Sequence, residues 1–287
     1  MDYFVNVENS PYQQWQAELL IESFKKHQLE ESLVVGLSLT KNEPKAEFCR
    51  NLYSHSRINS IVNIGEVRGF DRLNPLYSMS NMLRSGSLKQ PFVSIEPNTV
   101  LFSPVVIERQ KEVPHVVFQA NPFFTLESVE EHIPTVKKYI KSADWVPLGS
   151  TVYFNNIPQG YFDQAVYLTE VLAYDQVRAG KEIWRHTDRV AWVINILEMM
   201  GRCMIEGRYD FEMTMMDHGM KSNFINYERG APPYFSKTTY QFLPPAMLSF
   251  GDPLDALANL NDQVGTSSVQ YISELAKNCL AARQVQN

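Results

Sequence analysis

The sequence predicts a single α/β domain with a mostly parallel sheet flanked by helices and a C-terminal helical extension. The first 40 residues alternate strand, helix and strand, which is the pattern of a βαβ unit. The chain of 287 residues is 44% hydrophobic and 20% charged, a composition typical of soluble globular proteins. Because it contains no internal repeat, low-complexity linker or shift in composition, we expect one domain over residues 1–287.

The N-terminal βαβ unit has the clearest local signals. Tyr3–Val7 is a short aromatic and β-branched run, which predicts a strand. Ser10 precedes Pro11, and Gln13 follows the serine by three residues, so a capping box with proline at the first helical position predicts a helix here. Leu33–Leu39 predicts the next buried strand, which completes the unit.

The alternation continues along the rest of the chain. Short apolar or β-branched runs predict strands at Ile61–Asn63, Phe92–Ile95, Val116–Phe118 and Thr151–Phe154. Apolar residues at helical spacing predict helices at Pro75–Leu83, Leu126–Ile140, Phe162–Val177, Asp188–Met204 and Ser267–Ala282. The last of these helices belongs to the extension, which we place at about residues 246–287.

Charge and motif content narrow the functional classes. Lys and Arg number 26 against 32 Asp and Glu, and the net charge of −6 argues against a protein that grips nucleic acid phosphates. The chain has no glycine-rich dinucleotide motif, P-loop, zinc-protease motif or serine-esterase motif. Hydride transfer, P-loop hydrolysis, zinc hydrolysis and serine-esterase chemistry are therefore disfavoured.

Cysteine usage and the N-terminus suggest a compartment. The three cysteines, Cys49, Cys203 and Cys279, are too few and too scattered for a disulfide framework. The first residues lack the basic segment and apolar stretch of a signal peptide, and no run approaches the ~20 apolar residues of a membrane span. We expect a cytoplasmic protein without a membrane partner.

The turn Glu96-Pro97-Asn98 holds the residues with the clearest chemistry. It follows the predicted strand Phe92–Ile95, and ligands of open α/β sheets bind outside the carboxyl ends of strands. Oxygen ligands at positions i and i+2 can share one hard divalent cation, and that cation can hold a diphosphate. An ordinary polar turn after a strand fits the same residues.

Several short motifs follow one another in an order that resembles a known family. They are Pro11-Tyr12-Gln13-Gln14-Trp15-Gln16, Leu73-Asn74-Pro75-Leu76-Tyr77, Ile95-Glu96-Pro97-Asn98, Asn121-Pro122-Phe123-Phe124, Pro147-Leu148-Gly149-Ser150, Asp188 with Trp192, and Phe224-Ile225-Asn226-Tyr227. Over roughly residues 3–240 the chain resembles the plant hydroxyproline O-arabinosyltransferases and the related peptidyl-serine galactosyltransferases. That resemblance implies a glycosyltransferase A (GT-A) fold. It also implies a nucleotide-sugar donor, with UDP as the expected nucleotide.

The resemblance also implies separate donor-binding and acceptor-binding parts of the domain, and a bound metal ion. A nucleotide-sugar-binding part would occupy about residues 1–105 and an acceptor-side part about residues 106–245. A divalent cation, Mn²⁺ or Mg²⁺, would bind at Glu96 and Asn98, with His218 as a further ligand unless it is an ordinary loop histidine. Asn98 stands where the family has a second acid and Asn226 where it has a late histidine, and both replacements weaken cation binding.

Donor-binding candidates come from the same motifs. They are Tyr12, Trp15, Asn74, Tyr77 and Lys237. The aromatic members could stack on a nucleotide base, although packing in the core is the commoner role of such residues. If no cation is bound, Arg229 or Lys237 would have to hold the donor diphosphate.

Two carboxylates of one predicted helix are the catalytic candidates. Asp188 and Glu198 lie ten residues apart, close to three helical turns, and so share a face. A carboxylate base is needed if the transfer inverts the anomeric centre. Trp192 would then form the floor of a sugar site. Alternatively, Asp188 is the helix N-cap, Trp192 belongs to the core and Glu198 has a structural role.

The expected function is transfer of a pentose or hexose from a nucleotide-sugar to a hydroxyl acceptor. The acceptor implied by the resemblance is a protein hydroxyl or a sugar. In a microbial or viral cytoplasmic setting it could be a modified base of DNA. The alternative is a catalytically degenerate member of the fold that acts as a binding or interaction module, since the second acid and the late histidine are both asparagine.

Overall fold

A computed structural model of the chain describes most of the N-terminal two thirds and short parts of the remainder. The described residues are 1–8, 11–39, 58–62, 74–101, 103–107, 113–119, 123–141, 145–147, 151–184, 186–198, 203–208, 212–215, 247–250, 274–275 and 278.

Strands and helices alternate through these residues. The strands are β1 (Asp2–Glu8), β2 (Leu33–Leu39), β3 (Ile58–Val62), β4 (Phe92–Ile95), β5 (Thr99–Leu101), β6 (His115–Gln119), β7 (Phe123–Thr125), β8 (Trp145–Pro147), β9 (Val152–Asn155), β10 (Met204–Arg208), β11 (Glu212–Met215) and β12 (Met247–Phe250). The helices are α1 (Pro11–Lys26), α2 (Asn74–Ser85), α3 (Leu126–His132), α4 (Gln159–Arg178) and α5 (Thr187–Glu198). Short 3₁₀ helices lie at Glu30–Ser32 and Val136–Lys138.

A seven-stranded sheet with the order β10-β6-β9-β4-β1-β2-β3 forms the centre of the fold. Strands β1 to β4 are parallel, and β9 runs antiparallel to both of its neighbours, β4 and β6. The parallel strands therefore end at one edge of the sheet, which we call the carboxyl edge. Glu8, Ile95 and Gln119 are the last residues of β1, β4 and β6 at this edge. Smaller sheets have the orders β11-β12-β5 and β7-β8.

The helices cover the two faces of this sheet. α1 packs on one face, where Leu20 and Phe24 meet Tyr3 and Val5 of β1. α2, α4 and α5 cover the other face, on which the side chain of Phe4 in β1 lies. Along the chain, β1 is therefore followed by α1 on one face, whereas its neighbour β4 is preceded by α2 on the opposite face. The carboxyl ends of β1 and β4 thus form a topological switch point, where open α/β sheets bind ligands.

An aromatic cluster fixes α4 and α5 against the sheet. The ring of Phe154 in β9 lies 5.3 Å from that of Phe162 in α4 and 5.5 Å from that of Trp192 in α5, both edge to face. Its ring also lies 5.2 Å from that of Phe92 in β4. Edge-to-face pairs add roughly 0.5–1.5 kcal/mol each beyond the burial of their area. Trp192, in the middle of α5, consequently holds this helix against β9.

Most predicted elements are confirmed. Leu33–Leu39 and Phe92–Ile95 are strands with the predicted bounds, and the helix from Pro11 and the four other strands are present with small shifts. The predicted helix over Leu126–Ile140 is wrong in its second half, because α3 ends at His132 and a 3₁₀ turn follows. Pro134 lacks an amide hydrogen and disfavours helical geometry at Ile133, which explains the early end.

Two predictions near the C-terminus differ from the structure. The helix predicted over Asp188–Met204 ends at Glu198, and Met204 begins β10, which pairs with β6. The segment predicted as a C-terminal helical extension begins with β12, which pairs with β5 and β11. Glu274, Leu275 and Asn278 are helical, as predicted, and the rest of that helix lies outside the described residues. Within the described part of the chain, no helix has the length and apolar character needed to cross a membrane.

Candidate functional site

The acidic turn lies at the switch point of the sheet. β4 ends at Ile95, and the Thr99 amide donates to the Glu96 carbonyl at 3.1 Å, which closes a tight turn with Pro97 at its second position. β5 begins at Thr99 and pairs with β12, so the turn is fixed at both ends. The Glu96 carboxylate, 40% exposed, stands just outside the carboxyl end of β4.

Arg189 of α5 joins the two acids that the sequence singled out. Its Nη2 donates to Glu96 Oε1 at 3.0 Å, and its Nε lies 3.7 Å from Asp188 Oδ2. The guanidinium carbon lies 4.7 Å from the centre of the Trp192 ring, in cation–π geometry. The Arg189 side chain is only 12% exposed. We call Glu96, Asp188, Arg189 and Trp192 the edge cluster.

Hydrogen bonds of a buried glutamine fix the start of α5. Gln176 of α4 donates through Nε2 to Thr187 Oγ1 at 2.9 Å and accepts the Trp184 amide at Oε1 at 2.7 Å. The Thr187 hydroxyl donates to the Trp184 carbonyl at 2.7 Å. These bonds hold the segment before α5 against α4. They thereby position Asp188 and Arg189 in the first turn of the helix.

Two predicted residues of α5 have well-defined surroundings. Asp188 is the second residue of the helix and is buried, with its carboxylate beside Arg189. Trp192 is 1% exposed and packs on Phe154, which agrees with the alternative that it is a core residue. It is therefore not an open floor for a sugar, although its ring face supports the guanidinium.

Two other predicted residues form hydrogen bonds to residues outside the edge cluster, and a third is buried at the start of α2. Glu198 is exposed at the far end of α5, about 15 Å along the helix axis from Asp188, and accepts a hydrogen bond from Gln164 at 2.8 Å. Tyr77 donates through its hydroxyl to Glu170 at 3.2 Å, which ties α2 to α4. Asn74 is fully buried at the start of α2.

The remaining predicted residues cannot be placed in the site. Tyr12 and Trp15 belong to α1, but their side chains lie outside the described part of the structure. His218, Arg229 and Lys237 lie outside the described residues altogether.

The described residues do not fit a divalent cation at the acidic turn. Glu96 is ion-paired with Arg189, so a dication bound to the same carboxylate would be repelled by the guanidinium. Asn98 offers a neutral amide rather than a second negative charge. Among the residues that the structure describes, no three His, Cys, Asp or Glu side chains form a metal-binding group.

Polar residues that the sequence analysis did not single out lie under α2. Asn6 and Ser38 are buried on β1 and β2, and the Ser38 hydroxyl donates to Asn6 Oδ1 at 3.0 Å. By strand alternation they lie on the same sheet face as Phe4, nearer the carboxyl edge. Two polar residues in strands otherwise rich in buried apolar residues were the signal available in the sequence. They provide uncharged hydrogen-bonding groups close to the switch point.

A different sequence signal was available for Arg189. A cation in the first turn of a helix is disfavoured by the helix dipole, typically by 0.3–1 kcal/mol. A basic residue next to a candidate catalytic acid, at the start of a predicted helix, therefore indicates that other groups hold it there. The structure identifies Glu96 and Trp192 as those groups.

Comparison with known proteins identifies the fold. A crystal structure of the galactosyltransferase LgtC in complex with donor and acceptor sugar analogs superposes with a TM-score of 0.53 at 12% identity, over 97% of this chain and 96% of that one. An active-site mutant of LgtC superposes with the same score and coverage at 9% identity. The chain has the GT-A fold. No protein-family model and no curated protein sequence matches it.

Identification of the GT-A fold confirms the fold expected from the sequence. At these identities the likeness to LgtC concerns the fold alone and assigns no substrate. The edge cluster lies at the switch point of this GT-A sheet, and its residues carry the proposals that follow.

Proposed function

We propose that this protein is a glycosyltransferase that moves a sugar from a nucleotide-sugar to a hydroxyl acceptor. The observation that carries the proposal is the edge cluster, in which Glu96, Arg189 and Asp188 meet just outside the carboxyl end of β4. A carboxylate base and a cation beside each other are the groups that such a transfer requires. The GT-A fold supports the proposal without deciding it.

The chemistry assigns a role to Asp188. In an inverting transfer the bond between the sugar C1 and the diphosphate oxygen breaks, and its electron pair leaves with the diphosphate. The acceptor oxygen forms the new bond to C1, and its proton passes to a base. We propose the Asp188 carboxylate as that base. Glu198 is not part of the proposed site, since its carboxylate binds Gln164 at the other end of α5.

A divalent cation is a general feature of GT-A glycosyltransferases. When bound, such a cation neutralises charge on the leaving diphosphate as a Lewis acid. Glu96, Asn98 and His218 are the ligands that the sequence predicts for Mn²⁺ or Mg²⁺. Because the Glu96–Arg189 ion pair does not fit that assignment, no step of the proposed transfer is routed through a cation.

Donor recognition is proposed on both sides of the switch point. Asn6 and Ser38 are buried polar groups near it, and Asn74 lies at the start of α2 on the same face of the sheet. They suit the hydroxyls and amides of a nucleoside better than its phosphates, since none of them is charged. Tyr12, Trp15 and Lys237 remain predicted donor contacts, with UDP as the expected nucleotide. Tyr77, already bound to Glu170, fits a structural role better.

The acceptor and the sugar are proposed from the sequence resemblance. The likeness to hydroxyproline O-arabinosyltransferases and peptidyl-serine galactosyltransferases supports a hydroxyl on a protein as acceptor and a pentose or hexose as the transferred sugar. A glycan is the next candidate. A modified nucleobase is disfavoured because the net charge of −6 opposes approach to DNA.

One observation favours a second candidate function. The acidic turn has asparagine in place of the second acid, and its one carboxylate is engaged by Arg189. A protein that keeps the fold but has lost transfer would bind a nucleotide-sugar or a partner without turning it over. Catalysis distinguishes the two functions, because only the transferase releases UDP from a donor.

The proposal is tested by donor hydrolysis. UDP-sugars with pentose and hexose units are incubated with the protein, with and without Mn²⁺, and released UDP is measured. We expect at least one donor to be hydrolysed. Asp188→Asn should lower that rate by roughly 10²–10⁴-fold, the usual contribution of a general base, whereas Glu198→Gln should not. Absence of UDP release from every donor, with UDP still bound, would support the second candidate.

A further inference from the structure

Arg189 is a positive charge built into the place where a donor diphosphate would lie. We propose, on the basis of the proposed function, that Arg189 binds the diphosphate of the donor and stabilises it as it leaves. Glu96 then acts as a positioning residue for this arginine, rather than as a metal ligand.

The surroundings of Arg189 stabilise its positive charge at the start of α5, where the helix dipole opposes it. It lies in the first turn of the twelve-residue helix α5, where the helix dipole disfavours a cation. The Glu96 contact at 3.0 Å and the Trp192 ring at 4.7 Å both stabilise the guanidinium at this position. A side chain that is 12% exposed also loses little conformational entropy when it binds a ligand.

The pairing with Glu96 makes Arg189 suitable for an anionic ligand. Guanidinium groups match phosphate oxygens through parallel N–H donors, and these charge-assisted bonds are stronger than neutral ones. The Glu96 carboxylate is 40% exposed, so one partner of the pair faces solvent. A diphosphate brings more negative charge than one carboxylate and can compete with Glu96 for the guanidinium.

The step can be written with its atoms balanced. The C1–O bond of the donor breaks, and the electron pair passes to the terminal phosphate oxygen of the nucleoside diphosphate. N–H groups of Arg189 donate to that diphosphate as its charge grows. The acceptor oxygen bonds to C1 and its proton passes to the carboxylate of Asp188, whose Oδ2 lies 3.7 Å from Arg189 Nε. The positive charge that stabilises the leaving diphosphate is thus supplied by a side chain of the protein.

A binding experiment without metal tests this role. UDP is titrated calorimetrically into the full-length protein in buffer containing EDTA. We expect binding, and we expect Arg189→Gln to weaken it roughly tenfold to a hundredfold, the effect of removing a hydrogen bond to a charged group. Arg189→Lys should retain part of the affinity, because it keeps the charge but not the paired donors.

Arg84→Gln is the matched control. Arg84 pairs with Asp163 at 2.5 Å, so this variant also removes one positive charge and one arginine–carboxylate pair. It lies in the last turn of α2, near the amino edge of the sheet, where the backbone amide of Lys89 in the following segment donates to the Asp2 carboxylate at the start of β1. We expect its UDP affinity to equal that of the wild type.

Glu96→Gln distinguishes the two possible roles of Glu96, because its effect on UDP affinity differs if Glu96 orients Arg189 or holds a cation. If Glu96 only orients Arg189, removing its charge relieves repulsion of the diphosphate, so UDP binding in EDTA stays equal or tightens. If Glu96 holds a cation, the same variant weakens UDP binding in Mn²⁺, and neither the variant nor the wild type binds UDP in EDTA. Circular dichroism on each variant verifies that it is folded.

The outcomes separate this inference from the proposed function. If UDP binds only with Mn²⁺ and Arg189→Gln binds it as tightly as the wild type, the inference is wrong while the transferase proposal stands. If the wild type binds UDP neither in EDTA nor in Mn²⁺, the proposed function with a UDP-sugar as donor is wrong. Binding in EDTA that requires Arg189 supports the inference, and release of UDP from a donor then separates the transferase from the second candidate.

Discussion

Two arginines of this chain form ion pairs in different surroundings. Arg84 and Asp163 meet at 2.5 Å with exposed side-chain fractions of 55% and 42%. Arg189 is 12% exposed and lies against a tryptophan ring as well as a carboxylate. Exposed pairs contribute about 0–1 kcal/mol to stability because water and salt screen them. Only the Arg189 pair lies at the switch point, and it is the one to which we assign a function.

The exposed pair gives a prediction about acid stability. Desolvation raises the pKa of Asp163, but the hydrogen bonds from Ser80 and Arg84 and the charge of Arg84 together outweigh it, so the pKa is lowered from its ordinary value of 3.8. A carboxyl group whose pKa is lowered by folding stabilises the protein above the unfolded pKa. That contribution is lost as the pH falls through the lower, folded pKa.

Asp163→Asn should therefore be less stable than the wild type at pH 7, by at most about 1 kcal/mol for a pair this exposed. The difference should shrink as the pH is lowered below about 4. Urea unfolding of both proteins at pH 7 and pH 3 measures it. An equal difference at both pH values would mean that ionisation of Asp163 does not stabilise the fold.

At the scale of elements, the connection between α4 and α5 determines the geometry of the site. Gln176 is fully buried and bonds to Thr187 and Trp184, which come directly before the residues of the edge cluster. A change in α4 can therefore alter the site without any contact to a ligand.

Gln176→Leu should destabilise the protein by about 1–3 kcal/mol, since the Trp184 amide and the Thr187 hydroxyl lose a buried partner. It should also weaken UDP binding, because Asp188 and Arg189 are no longer fixed. Thr135→Val is the control, as it removes the 2.7 Å bond from Thr135 to Asp175 of the same helix. Equal UDP affinity in the two variants, by calorimetry, would contradict the positioning role.

The packing of α2 on β2 requires a glycine. A Cβ atom at Gly36 would lie 2.0 Å from Ser78 Oγ, 3.1 Å from Ser78 Cβ and 3.2 Å from a ring carbon of Phe4. The helix can therefore approach the strand this closely only because position 36 has no side chain.

Gly36→Ala should cost about 1–3 kcal/mol by overpacking. Ser78→Ala removes the nearest of the three atoms, so the double variant should be more stable than the sum of the two single changes predicts. A double-mutant cycle by urea denaturation measures this coupling. Strict additivity would show that the contact with Ser78 is not the cause.

The elements that the sequence predicted well have local signals at both ends. β4 follows Pro91 and stops at Glu96-Pro97, and α1 begins at Pro11, so backbone chemistry sets these limits. Near the end of α5 the one such signal is Gly201, three residues beyond Glu198, since glycine commonly follows the end of a helix. Apolar residues continue at helical spacing beyond Glu198, and only the pairing of β10 with β6, about 90 residues earlier, turns Met204 into a strand. Tertiary contacts of this kind cannot be predicted from local patterns.

The same limit explains what was predicted of the site. Glu96 and Asp188 were recognised separately, from a strand end and from a helix start. Their meeting depends on Arg189, which reaches across 93 residues of sequence to Glu96. The burial of Trp192 depends likewise on Phe154 in another strand. Residue types were therefore predictable, whereas the ion pair that changes the interpretation of the acidic turn was not.

At the scale of the whole molecule, ligand binding should be visible as stabilisation of the fold. A ligand at one hundred times its dissociation constant stabilises the native state by about 2.7 kcal/mol. For a chain of this size that corresponds to a rise in Tm of roughly 5–10 °C.

We expect UDP in EDTA to raise the Tm of the wild type and of Arg84→Gln, but to have much less effect on Arg189→Gln. Scanning fluorimetry at several UDP concentrations provides the measurement. A rise that is the same in all three proteins would place the UDP site away from the edge cluster.

The antiparallel strand β9 has a consequence for how the protein is made on the ribosome. β4 is complete at Ile95, but its second neighbour, β9, ends only at Asn155. At a synthesis rate of 5–20 residues per second, the edge of β4 remains unpaired for roughly 3–12 seconds until β9 has been synthesised. Until then, β4 is an unpaired edge of the four parallel strands, in addition to the edge at β3 that is also the edge of the complete sheet. A chaperone that shields strand edges would be needed most in that interval.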